Sequence, residues 1–382
     1  MKFSKHIKEA VAALAVLLVW TGCAEWTEVE NNRIFNDDLV ASDRPESYYE
    51  GLRQWKASEH AISFGWFSGW ADPSLTMDHM LQQLPDSMDM VSLWGNSTNL
   101  SPEKIADLRE TQRKGTKVLM CTFLNYVGQN FTPPEYNTDE TTRNKFWGWE
   151  FGNSEGNLKA LERYADAICD TINKYGYDGL DIDFEPHVDG VSGPLDENDY
   201  YVGHMFDLLK DRLGPKSGSG KILAIDGELW EINAQQATYF DYFIAQAYSV
   251  SGGVPGANAG MNDNNLESRL SRIVGIFSSQ LTEEEITNKF VVTENMESAL
   301  DALKGGFYWT AYNSEYLSGR QSKDTCPSLV GMATWQPRNG FRKGGFGGYR
   351  FDAEASNSPV YKWMRRAIQA QIDPSIITNN PY

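Results

Sequence analysis

The chain has 382 residues, 41% of them hydrophobic and 13% aromatic, and carries a formal charge of -18. That length suits one large α/β domain with insertions. An acid excess of this size excludes a nucleic-acid binder on electrostatic grounds, and no Gly-rich phosphate loop or metal-ligand spacing calls for a cofactor.

Lys2, Lys5 and Lys8 precede the apolar run "AVAALAVLLVW" (10–20), which is short for a membrane span. The run ends at "TGC". The arrangement resembles a bacterial lipoprotein signal, which implies a signal peptide over 1–22 and a lipid on Cys23. It places the protein in the cell envelope, anchored to the outer membrane, with surface exposure an open alternative. Residues 23–45 are polar and acidic without periodicity and read as a flexible tether. Cys121, Cys169 and Cys326 then remain, too widely spaced for a disulfide framework or a zinc site.

From residue 46 to 373 one catalytic domain is expected, followed by a tail over 374–382. Strand-like apolar runs fall at 61–67, 89–95, 117–125, 179–185, 221–229, 242–249, 289–297 and 345–352. Helical patterns lie between them, notably at 157–176, which stops at Gly176, and at 265–281 and 360–372. "GPKSGSGK" (214–221) reads as a helix-to-strand loop. Eight strands alternating with helices predict an α/β fold, a single-domain (β/α)8 TIM barrel; an open doubly wound sheet is the competitor.

The fourth strand, within "YGYDGLDIDFEP" (175–186), is the informative one. Side chains alternate along a strand, so Gly179, Asp181, Asp183 and Glu185 share one face, and Leu180, Ile182 and Phe184 the other. In a barrel the apolar face meets the helices and the acidic face points inward. Crowded, buried carboxylates cannot all ionise, so at least one keeps a proton near neutral pH and can act as a general acid. Glu185 stands at the C-terminal end of its strand, where barrel active sites lie, and glycosidic cleavage needs such an acid. Three acids could also hold a hard cation; with no His or Asn support beside them, no metal is assigned.

Asp178-Gly179-Leu180-Asp181-Ile182-Asp183-Phe184-Glu185 resembles the DGxDxDxE signature of glycoside hydrolase family 18, which includes chitinases and endo-β-N-acetylglucosaminidases. All five fixed positions are present, on the strand that falls fourth. The resemblance implies that Glu185 protonates the glycosidic oxygen and later acts as base on water. The substrate's own 2-acetamido carbonyl would be the nucleophile, with retention. Asp183 would orient the acetamido group, and Asp181 would sit behind Asp183 and share its proton. "DYFIAQAYS" places Gln246 and Tyr248 two apart on the sixth strand. This Q-x-Y pair resembles the one that holds the acetamido group in plant-type chitinases and several endo-β-N-acetylglucosaminidases.

Trp66, Asn96, Asn125, Glu228, Glu294 and Tyr349 lie near strand C-termini and are candidates for binding substrate. Against a chitinase, the third strand reads "CTFLNY" where many chitinases carry S-x-G-G, and the eighth ends "GGYRFD" where they place a Trp. The long polar loops after strands two, three and six suit a branched glycan. The expected activity is therefore an endo-β-N-acetylglucosaminidase of the Endo F/Endo H kind. It would cut the GlcNAc-β-1,4-GlcNAc bond of N-glycan cores, in a lipid-anchored, monomeric form. A chitinase and a non-catalytic glycan-binding lipoprotein are the alternatives.

Overall fold

A computed structural model describes residues 44–72, 79–188, 193, 195, 199–248, 261–307, 309 and 327–375. The signal peptide, Cys23, Cys326 and nearly all of the tether and tail lie outside the described residues. Contacts divide the chain between Pro45 and Glu46.

The second unit is a closed, all-parallel barrel of eight strands in sequence order: β1 Ile62–Phe67, β2 Met90–Leu93, β3 Lys117–Phe123, β4 Gly179–Phe184, β5 Ile222–Gly227, β6 Tyr242–Gln246, β7 Phe290–Asn295 and β8 Gly345–Tyr349. All eight expected strands are present, each within its expected range. β1 closes on β8, with Ile62 paired to Gly345 and Trp66 to Tyr349.

Two cores follow from strand alternation. Inside the barrel, Phe64, Trp66, Met90, Leu119, Ala224, Ile244 and Val291 pack together. Outside it, Leu180, Ile182 and Phe184 of β4 join the large core beneath the helices. The helix Ser154–Tyr175 contributes Leu161, Ala165, Ile168 and Ile172, one apolar stripe at helical spacing. It ends at Gly176, whose left-handed backbone (φ 64°) lets its N–H reach the carbonyls of Ile172 and Asn173. The helices Asp263–Phe277 and Lys362–Ile372 fill the other two expected positions.

Asp178, the first acid of the signature, works at the bottom of the barrel. Its Oδ2 accepts from Val118 N (3.0 Å) and Gln112 Nε2 (2.8 Å), tying β4 to β3 and its preceding helix. The other acids of that strand are thereby held in register above it.

Candidate active site

β4 turns Asp181, Asp183 and Glu185 inward, as the alternation requires. Asp181 is fully buried, Asp183 is 3% exposed, and Glu185 is half-buried at the top. Asp181 Oδ2 accepts from Trp66 Nε1 (2.8 Å) and Ser92 Oγ (2.7 Å), so β1 and β2 both brace it. One strand over, β5 pairs Asp226 beside Asp183. Gln246 Nε2 on β6 donates to Asp226 Oδ1 at 2.9 Å and reaches Asp183 Oδ1 at 3.5 Å.

Four carboxyls therefore gather on the inward face of two neighbouring strands: Asp181 lowest, Asp183 level with Asp226, and Glu185 at the top. Burial raises the pKa of every one of them. The negative charges of Glu185 and Asp181 push Asp183 further up, and those of Asp183 and Asp181 do the same to Asp226. At Glu185 the hydrogen bond from Gln246 opposes burial, and the charge of Glu228 adds to it. The cluster thus holds protons at pH values where isolated carboxylates are ionised. Burial and the surrounding acids also keep the Tyr248 hydroxyl protonated.

Above the acids opens a cavity of about 510 Å³, lined by Trp66, Trp94, Phe123, Gln129, Asn130, Asp183, Glu185, Asp226, Gln246, Tyr248, Asn295, Glu297 and Tyr349. Its aromatic wall is a set of contacting rings: Tyr349 meets Trp66 (6.1 Å) and Trp94 (6.0 Å) edge-on and stacks on Tyr248 (6.0 Å). The rim is polar, and Glu297 there pairs with Arg350 at 3.0 Å.

Of the residues singled out from the sequence, Glu185, Asp183, Gln246, Tyr248, Trp66 and Tyr349 come together in this cavity. Asp181 sits beneath them. The other four do not line it. Glu294 is a correction: β7 turns Val291, Thr293 and Asn295 inward, so Glu294 points to the outer layer, where Oε1 accepts from Asn295 N. Asn96 lies beyond the end of β2 with φ 50°, and it lines a separate surface depression with Trp70 and Lys104. Asn125, past the end of β3, is buried beneath the β4 loop, its carbonyl accepting from Leu195 N at 3.0 Å. Glu228 lines a neighbouring 300 Å³ cavity that shares Glu185 and Gln246, and it pairs with His187 Nδ1 at 2.7 Å.

Asp226, Trp94, Asn295 and Glu297 were not singled out. Alternation gives the face they share: in "KILAIDGEL" the inward set includes 222, 224 and 226, and in "KFVVTENME" it is 291, 293, 295 and 297. Cys121 Sγ and one oxygen each of Asp181 and Asp226 lie within 4.8 Å of one another. A cation is a poor fit there. Burial keeps the Cys121 thiol protonated, and three donors fall short of the four that a closed zinc site takes.

Residues 27–370 match the family described as glycoside hydrolase family 18, BT1044-like. No curated protein matches the chain. A solved Glu-to-Gln variant of BT1044, in selenomethionine form, is similar over 86% of this chain and 93% of its own, at 27% identity and TM-score 0.70. An endo-β-N-acetylglucosaminidase from Cordyceps militaris, solved with fucosyl-N-acetylglucosamine-Asn, shares the fold at 19% identity (TM-score 0.55; 86% of this chain, 97% of that one). A chitinase from Bacteroides thetaiotaomicron does so at 13% identity (TM-score 0.50; 82% and 97%).

Proposed function

Because the chain belongs to glycoside hydrolase family 18, we propose that it is a retaining, substrate-assisted endo-β-N-acetylglucosaminidase acting on the chitobiose core of N-glycans. The observation that carries the mechanism is the closeness of Asp183 to Glu185. They line the same cavity, two residues apart on one face at the end of β4, and the charge of Glu185 raises the Asp183 pKa. Two-carboxylate glycosidases hold their pair ~5–5.5 Å apart for retention and ~6.5–9.5 Å apart for inversion, with the sugar between. Neighbouring side chains on one face of one strand reach a bound sugar from the same side rather than flanking its anomeric carbon. Asp183 is thus badly placed as a nucleophile and well placed as a partner for a group beside the reacting carbon.

The substrate's 2-acetamido group is that partner. Its carbonyl oxygen attacks the anomeric carbon while Glu185 gives its proton to the leaving oxygen. Asp183 accepts the acetamido N–H and offsets the positive charge of the oxazolinium. Tyr248, held as a phenol, donates to the acetamido oxygen, and Gln246 fixes Asp183 from the side. Glu185, now ionised, takes a proton from the water that opens the ring. The rings of Trp66, Trp94 and Tyr349 supply an apolar wall for a pyranose face.

The polar rim of Gln129, Asn130, Asn295 and Glu297 supports the N-glycan reading, since branched mannosides offer many hydroxyls and few flat faces. The aromatic wall suits any GlcNAc polymer, which keeps chitin as the second reading. Mass spectrometry of glycans released from high-mannose and complex-type glycoproteins, with chitin oligomers in parallel, separates them. Released glycans ending in one GlcNAc, with one GlcNAc left on the protein, are the expected result. Cleavage of chitin oligomers alone overturns the N-glycan reading. Binding without cleavage by the wild-type chain points to a lectin. For the N-terminus we propose lipidation at Cys23 in the outer membrane; incorporation of labelled palmitate that persists in Cys23→Ser refutes it.

A further inference from the structure

Two buried carboxyl oxygens at the centre of the barrel lack an ordinary donor: Asp181 Oδ1 and Asp226 Oδ2. The remaining oxygens of these residues are occupied, by Trp66 and Ser92 on one side and by Gln246 on the other. The Cys121 thiol nearby is at best a weak donor. A bare buried acceptor destabilises the fold, and more so when it is charged. Two anions within 4.8 Å would add repulsion on top. One proton held between the two residues removes both costs.

We propose that Asp181 and Asp226 share a single proton across the β4–β5 seam, and that Asp226 is a positioning residue of the reaction. The pair then carries one negative charge in place of two. Asp183, beside Asp226 and above Asp181, then meets one negative charge in place of two when it ionises toward the acetamido group. Gln246 completes the arrangement, its amide bridging Asp226 and Asp183. The groups that face Asp226 from the packed strands are Cys121 on β3, Asp181, Asp183 and Glu185 on β4, and Gln246 and Tyr248 on and just after β6. All but Gln246 are titratable, and none is a cation, so a shared proton is the one means present of reducing the charge. Its kinetic consequence rests on the mechanism proposed above; the protonation itself does not.

The test compares Asp226→Asn with Asp226→Leu. The amide keeps the shape, can accept from Gln246 and can donate to Asp181 Oδ1, and it leaves the pair with one negative charge. The acidic limb of the kcat/KM profile, which reports ionisation of Asp183, is expected to stay in place in Asp226→Asn. In Asp226→Leu, Asp181 is left to compete with Asp183 for a proton, and the limb moves up by about one pH unit. A downward shift in Asp226→Asn would mean that Asp226 is an ordinary anion, and an unmoved limb in Asp226→Leu would mean that it does not matter. Either overturns the proposal. Infrared difference spectra need no substrate and no leucine variant. The wild type minus Asp226→Asn should show loss of a protonated carboxyl stretch, distinct from that lost in Glu185→Gln. An unchanged carboxyl band refutes the shared proton even if no glycan is ever cleaved, while a lost band without glycan cleavage refutes the functional reading alone.

Discussion

Gly227 ends β5 with φ 88°, and a Cβ placed there would lie 2.3 Å from the Phe184 carbonyl oxygen and 2.9 Å from Glu185 Cγ. The same carbonyl accepts from Glu228 N at 2.7 Å, so it cannot swing away without breaking the strand link. Gly227→Ala therefore combines two costs. Left-handed backbone for a residue with Cβ costs about 1–2 kcal/mol. Relieving the overlap needs a displacement of roughly 1 Å, which in a packed region costs about 1–3 kcal/mol more. Together these give a loss of about 2–5 kcal/mol, or a Tm lower by roughly 3–7 °C for a domain of this size. The displacement bears on Glu185, and a misplacement of ~1 Å in a catalytic group lowers kcat/KM about 100-fold. Gly218 is the control. Its φ is 67° and a Cβ there would meet nothing within 4 Å, so Gly218→Ala should show the backbone cost alone and unchanged turnover. Thermal unfolding and glycan release on both variants read the difference. Equal Tm losses with wild-type kcat in Gly227→Ala would refute the claim that this contact fixes the acid.

Three further outcomes follow from the site and its support. Burial and the charge of Glu228 both hold the Glu185 proton on; Glu228→Gln removes the charge, so the alkaline limb of kcat/KM should move to lower pH, and a limb that stays or rises contradicts the assignment of Glu185 as acid. Trp66→Phe keeps the aromatic wall but deletes the 2.8 Å bond to Asp181; a loss of about 1–2 kcal/mol, read as roughly 5- to 30-fold in kcat/KM, is expected, and wild-type kinetics would show that Ser92 alone suffices. Glu354 is buried, accepts from the backbone N–H groups of Trp363 and Met364, and is raised by burial from 4.5 to about 7. A raised carboxyl stabilises the fold fully below its unfolded value near 4.5 and loses that contribution as pH climbs through 7. The contribution is on the order of 3 kcal/mol, so Tm should fall between about pH 5 and 8 in the wild type and fall less in Glu354→Gln; parallel curves would refute it.

The barrel was legible because its strands obey a simple period. Leu180, Ile182 and Phe184 had to face the helices, so Asp181, Asp183 and Glu185 had to face inward, and the structure turns them so. Gln246 and Tyr248 followed from the same spacing. The errors arose where nearness to a strand's end replaced alternation. Glu294 and Asn295 are neighbours in sequence and lie on opposite faces; only the parity of Val291 and Thr293 tells them apart. Asn96 and Asn125 lie beyond their strands, at φ 50° and beneath a loop respectively, where period 2 no longer applies.

Asp226 is a different kind of omission. As a sequence feature it is one acid in "KILAIDGEL", no more notable than Glu228 two residues on. Its weight comes from register: β5 sets it beside Asp183, next to an Asp181 already committed to Trp66 and Ser92. Alternation names the face of a residue, but only the shear between neighbouring strands decides which residues meet at one level. A motif confined to one strand therefore records three acids, while the structure gathers four. On the reaction proposed above, the charge state of the fourth would set how readily Asp183 ionises, since the charge of each raises the other's burden of ionisation.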